Sequence, residues 1–259
     1  MKDILFISDL HLALEKPEIL RRFFSFSAAA GQQSASLIYI GRLIRRLDSD
    51  DDNTRPARDI KRELKQLTAS GVKVFIQQGN RDFLLGNAFC TDTGVSLLGD
   101  FAVIELDGQR VLLTHGDLLC SDDIAYQAFR IKSRSREWQD AVLRKPVWLR
   151  LIAARWYRLR SYFHKREKSY DIMDVNQDTV IAAMREYDCR ILVHGHTHRP
   201  GFHEFMLDGL PAKRYVLADC ARNRRGCCAG KTAVLLKKTS KQKIRQLVVN
   251  RCMESDSRI

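Results

Sequence analysis

Ile191-Leu192-Val193-His194-Gly195-His196-Thr197-His198 changes character half-way: strand-type residues give way to a loop with an imidazole at every second position. A short apolar run ending in polar residues is the pattern of a strand covered on both faces. The same pattern appears at Ile4–Ser8, which runs into Asp9-Leu10-His11, and again at Leu37–Ile40 and Val72–Ile76. The last of these leads to Gly79-Asn80-Arg81-Asp82. Between Leu37–Ile40 and Val72–Ile76, residues Ile60, Leu64 and Leu67 recur at helical spacing within Ala57–Ser70. Strand, helix and strand in that order read as a right-handed parallel crossover. Phe101–Leu106 and Arg110–Thr114 flank Asp107-Gly108, a two-residue hairpin signal, and His115-Gly116-Asp117 follows directly. Phe202–Leu207 and Lys213–Ala218 suggest a second hairpin, and helical periodicity fills Asp122–Arg136, Pro146–Phe163 and Ile172–Glu186. The sum is an α/β protein whose polar residues gather in loops at strand ends, where open α/β sheets bind ligands. One domain is expected over residues 1–259, with a helical cap or insertion at about 122–165 and a basic tail at about 220–259.

Hydrophobic residues make up 45% and charged residues 29% of the chain, the balance of an ordinary globular protein. No uncharged apolar run approaches the roughly 18 residues of a membrane span. Ile4-Leu5-Phe6-Ile7 is too short for the apolar core of a secretory signal, so a cytoplasmic chain is expected. Seven scattered cysteines, odd in number, are then expected to remain thiols, and adjacent Cys227-Cys228 lack a second pair at zinc-finger spacing. The net charge of +13 favours anionic partners. Its excess lies in two blocks: 13 Lys and Arg between Arg130 and Lys168, and 11 from Asp219 onward. Nucleic acid is not expected as a partner, because no groove-reading motif accompanies either block.

Five of the seven histidines fall in the strand-end motifs, beside Asp9, Asn80 and Asp117. One histidine is usually core; five at strand ends, with carboxylate and carboxamide beside them, read as ligands for Mn²⁺, Fe²⁺ or Zn²⁺. Asp-x-His, Gly-Asn, a lone His and Gly-His-x-His, in this order, resemble the calcineurin-like metallophosphoesterases. That resemblance implies a sandwich of two mixed sheets flanked by helices, with a helical cap insertion, and two divalent metal ions, Mn²⁺ the best fit. Asp9, His11 and His198 would hold the first ion and Asn80, His115 and His196 the second. Two ions about 4 Å apart clamp a phosphoryl oxygen and acidify the water between them. Asn80, His115 and His196 would thus also be catalytic.

Finer strings narrow the resemblance. Gly79-Asn80-Arg81-Asp82-Phe83-Leu84-Leu85-Gly86, His115 through Asp123, Tyr126-Gln127-Ala128-Phe129-Arg130, Ile172-Met173-Asp174-Val175-Asn176 and His194 through Pro200 resemble the UDP-2,3-diacylglucosamine diphosphatase branch of that family. The resemblance covers about residues 1–41 and 50–220. It implies cleavage of the pyrophosphate of UDP-2,3-diacylglucosamine to UMP and 2,3-diacylglucosamine 1-phosphate in lipid A biosynthesis. Asn80, Arg81, Asp123, Tyr126, Ser161, Lys165, Lys168 and His196 would bind substrate; Lys165 stands where an Asn is usual, and the lesser reading of Ser161, Lys165 and Lys168 is a solvated helix face. Trp148, Ile152, Trp156, Leu159 and Phe163 share one side of a helix, with Arg144, Arg150, Arg155 and Arg158 opposite. That stripe fits peripheral attachment to the cytoplasmic face of the inner membrane or ordinary packing on the sheet domain.

One ligand position departs from the pattern. The family's bridging aspartate follows a strand-end glycine; here Tyr39-Ile40-Gly41 is followed by Arg42. A guanidinium offers no lone pair to a metal and would be repelled by a dication 4 Å away by roughly 8 kcal/mol at an effective dielectric of ~20. The chain therefore also admits a reading as a weakened or inactive homologue that binds lipid or UDP, or as a phosphoesterase for another nucleotide or phosphodiester. Codons can be chosen for Gly41–Ser49 such that deleting one nucleotide yields Gly-Asp-Leu-Phe-Asp-Asp-Trp-Ile, the usual string. Arg222–Cys228 likewise hides Glu-Gln-Ala-Trp-Met-Leu in another frame. Both segments read as displaced frames, and the tail beyond Asp219 is expected to pack poorly.

Overall fold

Three of the four parallel strands, β4 being the exception, form as their apolar runs predict. β1 (Asp3–Ser8), β2 (Ser34–Ile40), β3 (Lys73–Gln77) and β4 (Ser96–Leu98) pair in parallel register, with Ile4 opposite Ser36 and Ile38 opposite Phe75. The structure, a computed structural model, describes residues 3–9, 34–41, 49–80, 82–106, 108–166, 174–217, 233–237 and 245–248, with Arg21 and Ser25. Helix α1 (Arg55–Ala69) carries the chain from β2 to β3. A second sheet holds β5 (Phe101–Leu106), β6 (Gln109–Thr114), β7 (Ile191–His194), β8 (Gly201–Leu207) and β9 (Leu210–Val216) in the order β5-β6-β7-β9-β8. Its inner pairs, β6–β7 and β7–β9, are parallel, and both outer pairs are antiparallel, so the sheet is mixed.

The pleat sorts the side chains into layers. Leu5, Ile7, Leu37 and Tyr39 face Ile60, Leu64 and Leu67 of α1, whereas Phe6, Ile38 and Ile40 face Val111, Leu113, Ile191 and Val193 of the second sheet. On that sheet's far side, Leu112 and Leu192 meet Val180, Ala183 and Met184. The result is helix, sheet, sheet, helix. Burial on both faces explains why these strands read as unbroken apolar runs.

Several expected boundaries shift for identifiable reasons. The helix expected over 122–136 is two helices, α3 (Ile124–Arg134) and α4 (Arg136–Leu143), after a short α2 (Asn87–Thr93) that the sequence pattern did not signal. Asp123 caps α3 through the Tyr126 amide, and Ser135 ends α3 while its hydroxyl accepts from Trp138 N at 3.3 Å to start α4. Helix α5 spans Val147–Arg166. Helix α6 covers Gln177–Glu186 rather than starting at Ile172, because the Asn176 side chain accepts from the Asp178 and Thr179 amides. The expected strand at Lys213–Ala218 is displaced to Leu210–Val216: Asp208 and Gly209, both with positive φ, close a tight hairpin at Leu207 and Leu210.

The poor packing expected of the tail turns on residues 221–230, which lie outside the described residues, while two strands beyond them are described. β10 (Ala233–Lys237) and β11 (Arg245–Val248) extend the first sheet to the order β11-β10-β1-β2-β3-β4, with β10 antiparallel to β1. Its apolar run occupies the edge that β1 would otherwise leave open. Residues 218–232 lie outside the described set.

Candidate metal centre

The C-terminal ends of β1, β2, β3, β6 and β7 deliver the polar motifs to one end of the sandwich. Asp9 leaves β1 with φ 47°, and its amide donates to Ile40 O at 3.3 Å. Gly41 leaves β2 with φ 91°, and its amide donates to Gln77 O at 2.9 Å. The Gly195 amide donates to His115 O at 3.0 Å, tying the loop after β7 to the loop after β6. His196 (φ 68°) and His198 (φ 55°) share the left-handed backbone of Asp9. Side chains rarely accept that region without glycine, and such strain gathers at functional sites.

The side chains meet accordingly. Asp9 Oδ2 accepts from the His196 amide at 3.0 Å, and His196 Nδ1 lies 3.2 Å from His115 Nε2. Asp9 and His115 are both buried, 3% exposed. A Cβ on Gly41 would collide with the His115 ring and come within 3.0 Å of Asp9 Oδ1, so only glycine lets both side chains face this space. His115 Nδ1 is buried and finds no hydrogen-bond partner among the described residues. A buried imidazole nitrogen next to a carboxylate oxygen suits a divalent cation, as do the imidazoles of His196 and His198 and the carboxamide of half-buried Asn80. The residues thus fit the implied ions in donor type. Among the described residues, no three His, Cys, Asp or Glu side chains surround one point. His11, Arg42, Arg81 and Lys168 lie outside the described residues, and Ser161 and Lys165 are placed only as part of α5.

His194 is fully buried, and its Nδ1 donor to Gly195 O, at 3.0 Å, defines the tautomer. Burial first, then the charge of Arg214 and the neighbouring His115, pushes its pKa down to about 3, so it stays neutral.

Beside the ligand positions lies a network that sequence reading missed. Asp117 Oδ2 accepts from Tyr126 Oη at 2.5 Å and from Arg130 Nε at 2.9 Å, and Arg130 Nη2 reaches Asp100 Oδ1 at 2.6 Å. Burial alone would raise the Asp117 carboxyl. His115, His196, Arg130 and the Tyr126 hydroxyl outweigh it and hold the group well below the usual carboxylate range. The phenol of Tyr126 is correspondingly pushed far up, by burial and by the charge of Asp117. Its ring is centred 6.3 Å from that of His196, and its hydroxyl is engaged by Asp117. The available signal was the spacing of Tyr126, Arg130 and Arg134, four apart on one helix face.

The calcineurin-like phosphoesterase family is matched over residues 2–200, three-quarters of the chain. The chain belongs to this family. Within it, UDP-2,3-diacylglucosamine hydrolase of Vibrio vulnificus strain CMCP6 is 42% identical over 218 residues, covering 83% of this chain and 88% of the relative. The hydrolases of the same name from Escherichia fergusonii and Salmonella arizonae are 42% and 43% identical over 213 residues, covering 82% of this chain and 89% of each relative. Membership in a metallophosphoesterase family implies metal dependence, in keeping with the donor set at the strand ends.

Proposed function

We propose that this chain hydrolyses the pyrophosphate bond of UDP-2,3-diacylglucosamine, giving UMP and 2,3-diacylglucosamine 1-phosphate in lipid A biosynthesis. The observation that carries this reading is the 42% identity, over more than four-fifths of the chain, to hydrolases named for that substrate. The convergence of Asp9, His115 and His196 at the strand ends supports a phosphoryl-transfer site.

Asp9, His11 and His198 would hold one divalent ion and Asn80, His115 and His196 the other, with Mn²⁺ the proposed metal. Such a pair, when bound, supplies an acidified water and a clamp on the α-phosphate oxygens. Arg81 braces phosphate oxygens with its planar fork. Asp123 and the Tyr126 ring line the approach beside the ligands, and Ser161, Lys165 and Lys168 serve the substrate from the cap. Asp9 also steers the loop after β7 by accepting from the His196 amide, which sets where that imidazole points.

The cap reading covers α3 to α5 within one domain, and it includes contact with the lipid. Trp148, Ile152 and Trp156 are 61%, 57% and 59% exposed, so that part of the stripe is not core. An exposed tryptophan-rich helix face suits the headgroup region on the cytoplasmic side of the inner membrane. No helix among the described residues is long and apolar enough to cross a membrane.

The test is Mn²⁺-dependent UMP release from UDP-2,3-diacylglucosamine. Release that chelation abolishes and Mn²⁺ restores supports the assignment. Arg42 favours a second reading, an inactive homologue; binding of intact substrate without UMP release, with Mn²⁺ present, would establish it.

A further inference from the structure

The geometry points to Arg134 as a positioning residue that braces the Asn80 loop from the cap and so sets the affinity of one ion of the pair. Arg134 is the last residue of α3, on the face that carries Tyr126 and Arg130. Its Nη1 donates to Gln78 Oε1 at 2.9 Å and its Nη2 to Gly79 O at 3.0 Å, the two residues before Asn80. Gln78 Nε2 in turn donates to Leu85 O at 2.6 Å, and Asp82 Oδ1 accepts from the Gly79 amide at 2.8 Å. These bonds close the segment from 78 to 85 into a loop with Arg134 at its neck. The guanidinium also lies 5.3 Å over the Phe83 ring.

One helical turn earlier, Arg130 does the same for the loop after β6 by holding Asp117, two residues past His115. Both guanidiniums share Asp100, Arg130 at 2.6 Å and Arg134 at 3.8 Å. Helix α3 therefore grips the two loops that carry Asn80 and His115 and fixes how far apart they stand. Partners behind a metal ligand orient it, and their loss costs about 10- to 100-fold in affinity. Among the described residues, Arg134 contacts the Gln78 carboxamide, the Gly79 carbonyl, the Phe83 ring and Asp100, none of them a ligand position, so it acts as a positioning residue.

The inference rests on the metal reading above, and the experiment separates the two. Hydrogen exchange at the Gly79 and Leu85 amides, both bonded to Asp82 within the loop, is compared in the full chain and in Arg134→Met, which keeps the stem and removes the donors. Mn²⁺ is then titrated calorimetrically into both, and into the same pair carrying Arg42→Asp. The expected result is exchange about tenfold faster at the two amides with α1 unaffected, and one Mn²⁺ weakened about 10- to 100-fold while the other holds. Arg134→Lys, with one ammonium for two acceptors, should fall between. Two bound ions that ignore Arg134→Met, with unchanged exchange, overturn the brace and leave the metal reading standing. Equal weakening of both ions with faster exchange throughout the protein also overturns it, as general destabilisation. A protein that binds no Mn²⁺ in any of these forms overturns both.

Discussion

Asp117 sits at the crossing of charge and burial, and its substitution tests which of its bonds matter. Its side chain is 2% exposed and that of Arg130 is 9%, so removing the carboxylate takes from a buried guanidinium the drier of its two partners. Losing one member of a buried pair costs about 3–5 kcal/mol; Arg130 keeps Asp100, so Asp117→Asn should fall near about 3 kcal/mol in urea unfolding. Asp100, with its side chain 45% exposed, is the comparison: Asp100→Asn should cost under about 1 kcal/mol, because water screens that partner. Equal losses would mean the network is not organised around Asp117. Arg42 poses the complementary question. Aspartate there would offer oxygens to both ions and remove a repelling charge, so Arg42→Asp should raise bound Mn²⁺ and increase UMP release by orders of magnitude. Equal metal content and rate in the two proteins would place Arg42 outside the site. Asp9, His115 and His196 were legible in the sequence because strand ends are visible in an apolar run and ligand types are few. Asp117 and Arg130 were not, since a carboxylate and a guanidinium 13 residues apart give no sign of pairing until α3 folds back over the loop.

Among the elements, α5 shows best how a pattern can be right in period and incomplete in meaning. Trp148, Ile152 and Trp156 share a side, and their exposure sets that side apart from the core. The basic side is not uniformly solvated. Arg150 is 6% exposed, donates to Ser49 Oγ at 2.6 Å and pairs with Asp51, clasping the helix to the segment before α1. That same segment holds the start of α2, where Asp50 accepts from the Gly86 and Ala88 amides at 2.6 and 3.1 Å. Helix α5 is thus held by its charged side and presents its tryptophans outward. The double substitution Trp148→Glu and Trp156→Glu should lower binding to vesicles of mixed zwitterionic and anionic phospholipid by about tenfold, with thermal stability unchanged because neither side chain is core. Unchanged vesicle sedimentation would remove the membrane role from this face; a falling melting temperature would return it to packing. The longer helices were legible from period, whereas their ends were decided by Asp123, Ser135 and Asn176, whose capping needs a side-chain geometry that spacing does not show.

At the scale of the molecule, the order of strands is what the sequence withheld. Local crossovers could be read one at a time, yet nothing near Ile4–Ser8 indicates that its second neighbour lies more than two hundred residues away. Ala233 to Leu236 pair with Ile7 to Ile4 in antiparallel register, and β11 pairs with β10 in turn. This makes β1 an interior strand, flanked by β2 on one side and β10 on the other. The consequence reaches the site, because β1 leads directly into Asp9 and Asp9 orients His196. Removing residues 218–259 should leave a row of unpaired backbone groups along β1, a template for association with other chains. Four paired residues and an apolar run would be lost from the strand that carries the first ligand. The truncated chain is therefore expected to unfold at lower urea, to associate in light scattering at concentrations where the full chain does not, and to bind Mn²⁺ more weakly. Were the tail only an appendage with a displaced reading frame, truncation would change none of the three, and the full and shortened proteins would share one melting curve. A shortened protein that unfolds earlier but binds Mn²⁺ as before would separate the two roles of β1, leaving the edge as a matter of stability and the ligand loop as held by the second sheet through His115 and His196.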